Sequence, residues 1–162
     1  MALELEQIYR EHMNDLYRYL YSLTQQHTLA EDLLQETFAK AHVMMLGGSI
    51  REIKPWLFKV AYYTYIDSVR KESRFIHSDT IETIDIHTPE QITLEKDSFQ
   101  KLLDLLETIK PIEKQAILLC DVHDCTNEQA AEILQLKLNT LKSHLARGRR
   151  KLREKLTKEE NK

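Results

Sequence analysis

Residues 125–156 read CTNEQAAEILQLKLNTLKSHLARGRRKLREKL, and this stretch decides what the rest of the chain must be. Thr126-Asn-Glu-Gln129 has the form of a capping box, in which two side chains reciprocally satisfy orphan backbone amides, and it opens a short helix expected to end at Leu134. A few residues on, Asn139 is expected to cap a longer helix from Thr140 to about Thr157. Short helix, tight turn and longer helix make the helix-turn-helix plan, whose second helix lies in the DNA major groove with its N-terminal side chains at base edges. The spacing agrees: Leu141, Leu145, Leu152 and Leu156 share one face, while Asn139, Ser143, Ala146, Arg147 and Arg150 project from the opposite one. Many such units carry glycine in the turn, where this chain has Gln135; a left-handed backbone there costs a non-glycine residue about 1 kcal/mol.

Charge is distributed to match. Residues 137–162 hold 10 basic and 3 acidic groups and 47–74 hold 6 and 3, whereas 75–108 hold 2 and 8. A net charge of -3 for the 162 residues therefore conceals two basic segments, each a candidate phosphate site, separated by an acidic one. A basic solvated face is the ordinary explanation of an arginine run taken alone; here the cations follow directly on a capped helix and a tight turn.

Working outward, only three glycines and three prolines punctuate the chain, too few for the corners of a many-stranded sheet protein, so the fold class is all-α. Leu5, Ile8, Tyr9, Met13, Leu16, Leu20 and Leu23 form an apolar stripe from about 4 to 24. Thr28-Leu-Ala-Glu31 reads as a second capping box opening a helix over 29–46, with Gly47-Gly48 as its left-handed stop. Pro55 suits the first turn of a third helix reaching Arg74, with Leu57, Val60, Ala61, Thr64 and Ser68 on one face and Trp56, Lys59, Tyr63 and Arg70 largely on the other. Residues 75–88 keep no period and read as an acidic linker between a domain over 1–74 and one over 89–162. In the second domain Thr88-Pro-Glu-Gln91 caps a helix through Leu106, and Pro111 starts another that reaches Val122.

No run of apolar residues is long enough for a membrane span, and the N-terminus carries acids where a signal peptide has a basic head, so a cytoplasmic protein without direct membrane insertion is expected. Cys120-Asp-Val-His123-Asp-Cys125, with His144 downstream, lacks the spacing of a zinc knuckle, and no metal or other cofactor is implied. With no phosphate-binding glycine loop and no nucleophile elbow, the chain does not read as an enzyme.

The quoted stretch resembles the C-terminal promoter-reading domain of extracytoplasmic-function (ECF) sigma factors, the small alternative specificity subunits of bacterial RNA polymerase. LYRYLYSLTQQHTLAEDLLQETFAKAH (16–42) followed by PWLFKVAYYTYIDSVRK (55–71) is similar to their N-terminal domain, in the same order and separation. The resemblance implies that the first domain docks on core RNA polymerase and opens the −10 element of promoter DNA, and that the second reads the −35 element. Asp32, Gln35 and Glu36 match the polymerase-contacting pattern, and steps of three and four place them on one helical face. The loop Gly47 to Lys54 is implied to capture an unstacked base; Trp56, Tyr62, Tyr63, Lys59 and Arg70 are the residue types a single strand needs, although Tyr63 departs from the asparagine usual in the family and Trp56 also suits a core. On the −35 side the candidates are Asn139, Thr140, Lys142, Ser143, Arg147, Arg149 and Arg150, with Ser143 and Arg147 at base edges and Lys142, Arg149 and Arg150 on phosphates. The acidic stretch over 75–108 resembles the family's interdomain linker, read equally as a polyanion mimic in a basic channel or as a plain tether. An anti-sigma factor is a further implied partner. The alternative is a helix-turn-helix regulator whose N-terminal half senses a ligand or dimerises.

Overall fold

A computed structural model of the chain describes residues 2–48, 50–75 and 94–160; these residues are helical with short turns and contain no strand. The chain divides into two compact units, Met1–Pro89 and Glu90–Lys162. The Thr88 capping box and all but Phe75 of the expected linker lie outside the described residues, and Phe75 itself closes a helix.

The first unit contains α1 (Ala2–Thr24), α2 (His27–Met45) and α3 (Ile53–Phe75), each packed on the other two. Ile8, Leu16 and Leu20 of the predicted stripe are buried, but Tyr9 is on the surface, and the centre of the core is the tilted pair Tyr19–Phe58, 5.1 Å between ring centroids. Leu57, Val60, Ala61 and Thr64 line the buried side of α3, as their spacing requires. Two buried threonines satisfy their hydroxyls within their own helices, Thr37 Oγ1 donating to the Leu33 carbonyl at 2.7 Å and Thr64 Oγ1 to Val60 at 2.8 Å, so they carry no desolvation penalty into the core.

Both turns of this unit differ from the sequence reading. Thr28 is not an N-cap: α2 starts one residue earlier, behind Gln26, which makes no side-chain cap. The reason is Gln25, whose left-handed backbone (φ 54°) ends α1 and, with the Gln26 N–H held by Thr24 Oγ1 at 3.2 Å, turns the chain directly into the next helix. Gly47 and Gly48 supply no left-handed stop either; α2 tapers through Leu46 in right-handed geometry, with the N–H of Gly47 on the Met44 carbonyl at 3.1 Å. Pro55 falls in the first turn of α3, where a missing N–H costs nothing. Lys54 belongs to that helix and not to the preceding loop.

The second unit contains α4 (Leu94–Leu106), α5 (Pro111–Ile117), α6 (Asn127–Leu134) and α7 (Leu138–Glu160). Helix α4 ends at Leu106, as expected, within the acidic stretch 75–108. Helix α5 does continue to Val122, but Leu118–Val122 is a π turn, with the N–H of His123 reaching back to the Leu118 carbonyl at 3.0 Å. The Thr126 box forms in full: Thr126 Oγ1 accepts from Gln129 N at 3.1 Å and Gln129 Oε1 from Thr126 N at 2.9 Å. Gln135 is left-handed (φ 55°), and the N–H of Leu136 closes a Schellman bond on the Ala131 carbonyl at 2.9 Å. Three residues, Gln135 to Lys137, separate α6 from α7.

Asn139 does not cap α7, which already begins at Leu138, with Leu141 N bonded to the Lys137 carbonyl at 3.0 Å. The helix also outruns the expected Thr157, and Leu156, assigned to the apolar face, is 48% exposed. Leu141, Leu145, Gly148 and Leu152 are buried. At Gly148 the helix comes so close to α5 that an added Cβ would stand 2.8 Å from Ile117 Cδ1 and 3.3 Å from Glu113 Cβ. One turn further on, Lys151 Nζ meets the buried Glu113 carboxylate at 2.6 and 3.1 Å. Burial pushes the Glu113 carboxyl up, but the Lys151 hydrogen bond, the Lys110 N–H and the nearby lysine charges together hold it below the usual carboxylate range.

Candidate nucleic-acid and polymerase interface

The outward side of α7 is where the sequence places it. Asn139, Thr140, Lys142, Ser143, Ala146, Arg147 and Arg150 are all exposed at the start and middle of the helix, because Leu141, Leu145 and Gly148 turn the opposite side inward. Ser143 Oγ donates to the Asn139 carbonyl at 3.0 Å, which leaves its lone pairs facing solvent. Lys142, Arg147 and Arg150 form no ion pair among the described residues, so three cations stand free on one surface.

The other cations of α7 are engaged within the unit. Arg149 is bidentate with Asp121 of the π turn, Nε to Oδ2 at 3.0 Å and Nη2 to Oδ1 at 2.7 Å; Lys151 holds Glu113, and Lys155 Nζ donates to the Thr108 carbonyl at 3.0 Å. Arg149, expected on a phosphate, therefore has one edge already occupied. These partners lie 28, 38 and 47 residues away in sequence, so no local spacing could signal them.

In the first unit Asp32, Gln35 and Glu36 are exposed together on α2, although Glu36 Oε1 lies 3.3 Å from Lys40 Nζ. The same face continues toward the C-terminal end through Ala39, Val43 and Leu46; Val43 and Leu46 are exposed apolar residues, and Ala39, Lys40, Val43 and Met44 line a shallow apolar groove. The sequence reading stopped at Glu36; the apolar residues at the same period were the available signal.

On α3, Lys54, Trp56, Lys59 and Tyr63 are half-buried and Arg70 is exposed. Tyr62 and Tyr63 meet edge to face at 5.7 Å, and the Tyr63 hydroxyl is enclosed without a hydrogen-bond partner among the described residues, so this side chain turns its polar tip into the protein. Of the five candidates here, Arg70 alone is fully presented, and Ser49 of the preceding loop lies outside the described residues.

A further polar cluster, with no motif to announce it, joins α1 to α2. The Tyr17 hydroxyl hydrogen-bonds Nδ1 of His27, and the opposite ring nitrogen lies 2.9 Å from Glu31 Oε1, locking the start of α2 to α1. Burial, then the Glu31 charge and the neighbouring Tyr21, push the Tyr17 hydroxyl up to about 12. The cysteine stretch is structural in placement: Cys125 and His123 are buried, and Cys120 Sγ lies 3.6 Å from Asn127 Oδ1.

Comparison with known proteins agrees with this division. Residues 8–75 match the family model for sigma-70 region 2, and residues 99–152 match that for sigma-70 region 4. The chain is 31% identical to the ECF RNA polymerase sigma factor SigM of Bacillus subtilis over 92% of its own length and 93% of that protein's. It is also 31% identical to the RNA polymerase sigma factor SigV of the same organism, over 93% of this chain and 89% of that one. Among solved structures, the sigma factor RpoE of Bartonella quintana, in complex with the anti-sigma factor NepR, matches with a TM-score of 0.77 at 26% identity, covering 95% of this chain and 97% of that one. No helix among the described residues is long and apolar enough to cross a membrane. The two helical units, the outward cationic face on the second helix of a helix-turn-helix and a 31% identical relative matched over nearly its full length place the chain in the ECF sigma factors, alternative sigma factors that direct RNA polymerase to specific promoters.

Proposed function

We propose a division of labour within this sigma factor: α2 docks on core RNA polymerase through Asp32, Gln35 and Glu36, the start of α3 borders the −10 element, and the outward side of α7 reads the −35 element. The observation that carries it is the sorting of cations on α7, where Lys142, Arg147 and Arg150 stand free on the exposed side while Arg149, Lys151 and Lys155 hold acceptors of their own unit. Ser143 and Arg147, on the outward side in the N-terminal half of α7, take base edges; Lys142 and Arg150 take phosphates. On α2 the carboxylates suit the arginines of a partner helix, and the apolar Val43 and Leu46 extend the same face. Arg70, which is exposed, leads the cations offered to the single strand; the half-buried Lys54, Trp56 and Lys59 border it, and Tyr63 contributes packing.

The protein acts as a single chain in the cytoplasm, where the polymerase is, contributes binding and no catalysis, and is held in check by an anti-sigma factor, a partner that supports this reading through the complex in which RpoE was solved. The test is reconstitution with core polymerase. Reversing charge at Asp32 and Glu36 should abolish or strongly weaken holoenzyme assembly, and Arg147→Ala should leave assembly intact while flattening preference at one promoter base pair. A double reversal that assembles like the parent would remove the docking face.

A further inference from the structure

Arg149 and Asp121 form a geometry that neither unit's sequence motifs disclose. A guanidinium has five N–H donors in a planar fork. Asp121 accepts from Nε and from Nη2, at 3.0 and 2.7 Å, which leaves three donors, two of them side by side on the far Nη1–Nη2 edge. The pair is at the rim of the unit, with Arg149 50% and Asp121 37% exposed, so the far edge faces solvent. On the helix Arg149 lies two turns beyond Lys142 on the same flank, beside the outward side that carries Arg147 and Arg150. The carboxylate is delivered by the π turn: Leu118–Val122 widens the end of α5, and the N–H of Cys125 returns to the Leu119 carbonyl at 2.8 Å, fixing the segment that carries Asp121 against α7. A free arginine side chain samples many rotamers, and ordering it on binding costs affinity; a carboxylate that holds one edge removes that cost beforehand.

We propose that Asp121 is a positioning residue for promoter binding: it holds Arg149 so that the free Nη1–Nη2 edge of the guanidinium meets a phosphate of the −35 duplex. The inference rests on the reading of α7 as the −35 helix. It assigns a role in DNA binding to a negatively charged residue outside the helix-turn-helix, on the turn that precedes it.

The experiment uses the full chain assembled with core polymerase, on a promoter duplex recovered by selecting genomic fragments with that holoenzyme, at several salt concentrations. Arg149→Ala should lower the salt slope by about one unit with base preference unchanged. Asp121→Ala should weaken binding by about threefold to tenfold, Asp121→Asn by less, and neither should have any effect in an Arg149→Ala background. Arg149→Lys should not restore the parent affinity, since an ammonium lacks the fork that spans carboxylate and phosphate. Tighter binding by Asp121→Ala would overturn the proposal by making Asp121 a competitor of the phosphate. An equal loss in the Arg149→Ala background would overturn it by reducing Asp121 to support of the fold. If Lys142→Ala and Arg147→Ala weaken promoter binding while Arg149→Ala does not, the proposal fails and the α7 reading stands; if none of the three matters, the α7 reading itself fails.

Discussion

The two units of this sigma factor are held together by different physics. In the first, the buried surface is apolar and aromatic, with Tyr19 on Phe58; the ion pairs Arg10–Glu6, His27–Glu31 and Lys40–Glu36 join residues one turn apart on a single helix, and the polar links between helices, Tyr17 to His27 and Lys40 to Asp67 at 3.9 Å, lie at the surface. In the second, a carboxylate is buried, and Lys151, Arg149 and Lys155 tie α7 to acceptors on other elements. Hydrophobic contact is non-directional and tolerates small rotations of a helix, whereas a hydrogen-bonded ion pair fixes which side faces out. The unit proposed to aim side chains at base edges is the one in which a buried carboxylate and a bidentate arginine pair orient the helix that carries them.

Four expected outcomes put pressure on that contrast, and the sole tryptophan, Trp56 of α3, reports the first unit by itself. The largest belongs to the apolar core: Phe58→Ala should destabilise the first unit by about 3–5 kcal/mol, seen as a lower denaturant midpoint in Trp56 fluorescence. Next, Glu113→Ala strands the Lys151 ammonium and should cost the second unit about 3 kcal/mol, measured by far-ultraviolet circular dichroism, with the Trp56 transition unmoved. If both probes shifted together, the units would not be energetically separate.

The third outcome is a pH dependence confined to the second unit. The folded Glu113 carboxyl titrates below its unfolded value, so its contribution is complete above the ordinary glutamate pKa of about 4.3 and is lost as pH falls through the lower folded value. Acid unfolding of the second unit should therefore flatten in Glu113→Gln relative to the parent, measured as the pH dependence of the denaturant midpoint. The smallest effect has the opposite sign. Gln135→Gly relieves a left-handed non-glycine residue and should stabilise the second unit by about 0.5–1 kcal/mol, read as a higher midpoint of the same transition.

How much could be read from the chain itself follows the same line. Local rules succeeded where the signal and its partner lie within one turn: the Thr126–Gln129 box, Pro111 at a helix start, and the three leucines that α7 buries. They failed where several residues compete for one local job. Thr28 has the form of a cap, but Gln25 and Thr24 had already turned the chain; Asn139 has it too, but Lys137 starts the helix two residues ahead. Tyr19 and Phe58 are buried because they meet across two helices, and Glu113–Lys151 and Asp121–Arg149 are contacts of tertiary structure, invisible to any window of sequence. The site itself was legible as a set of exposed cations, and what remained hidden was which of them already have a partner.

Gly148 sets a mechanical condition on all of this. Its missing side chain is what lets α7 rest on Ile117 and Glu113 at the observed depth, and a helix is a stiff rod rising about 1.5 Å per residue. Asn139, nine residues away, stands about 13 Å along that rod, beyond the fulcrum. A methyl group inserted at 148 would have to displace its neighbours by tenths of an ångström, and the far end of the rod would swing by more. The bearing of the exposed side chains of α7 is thus set from underneath, at a surface that faces away from them.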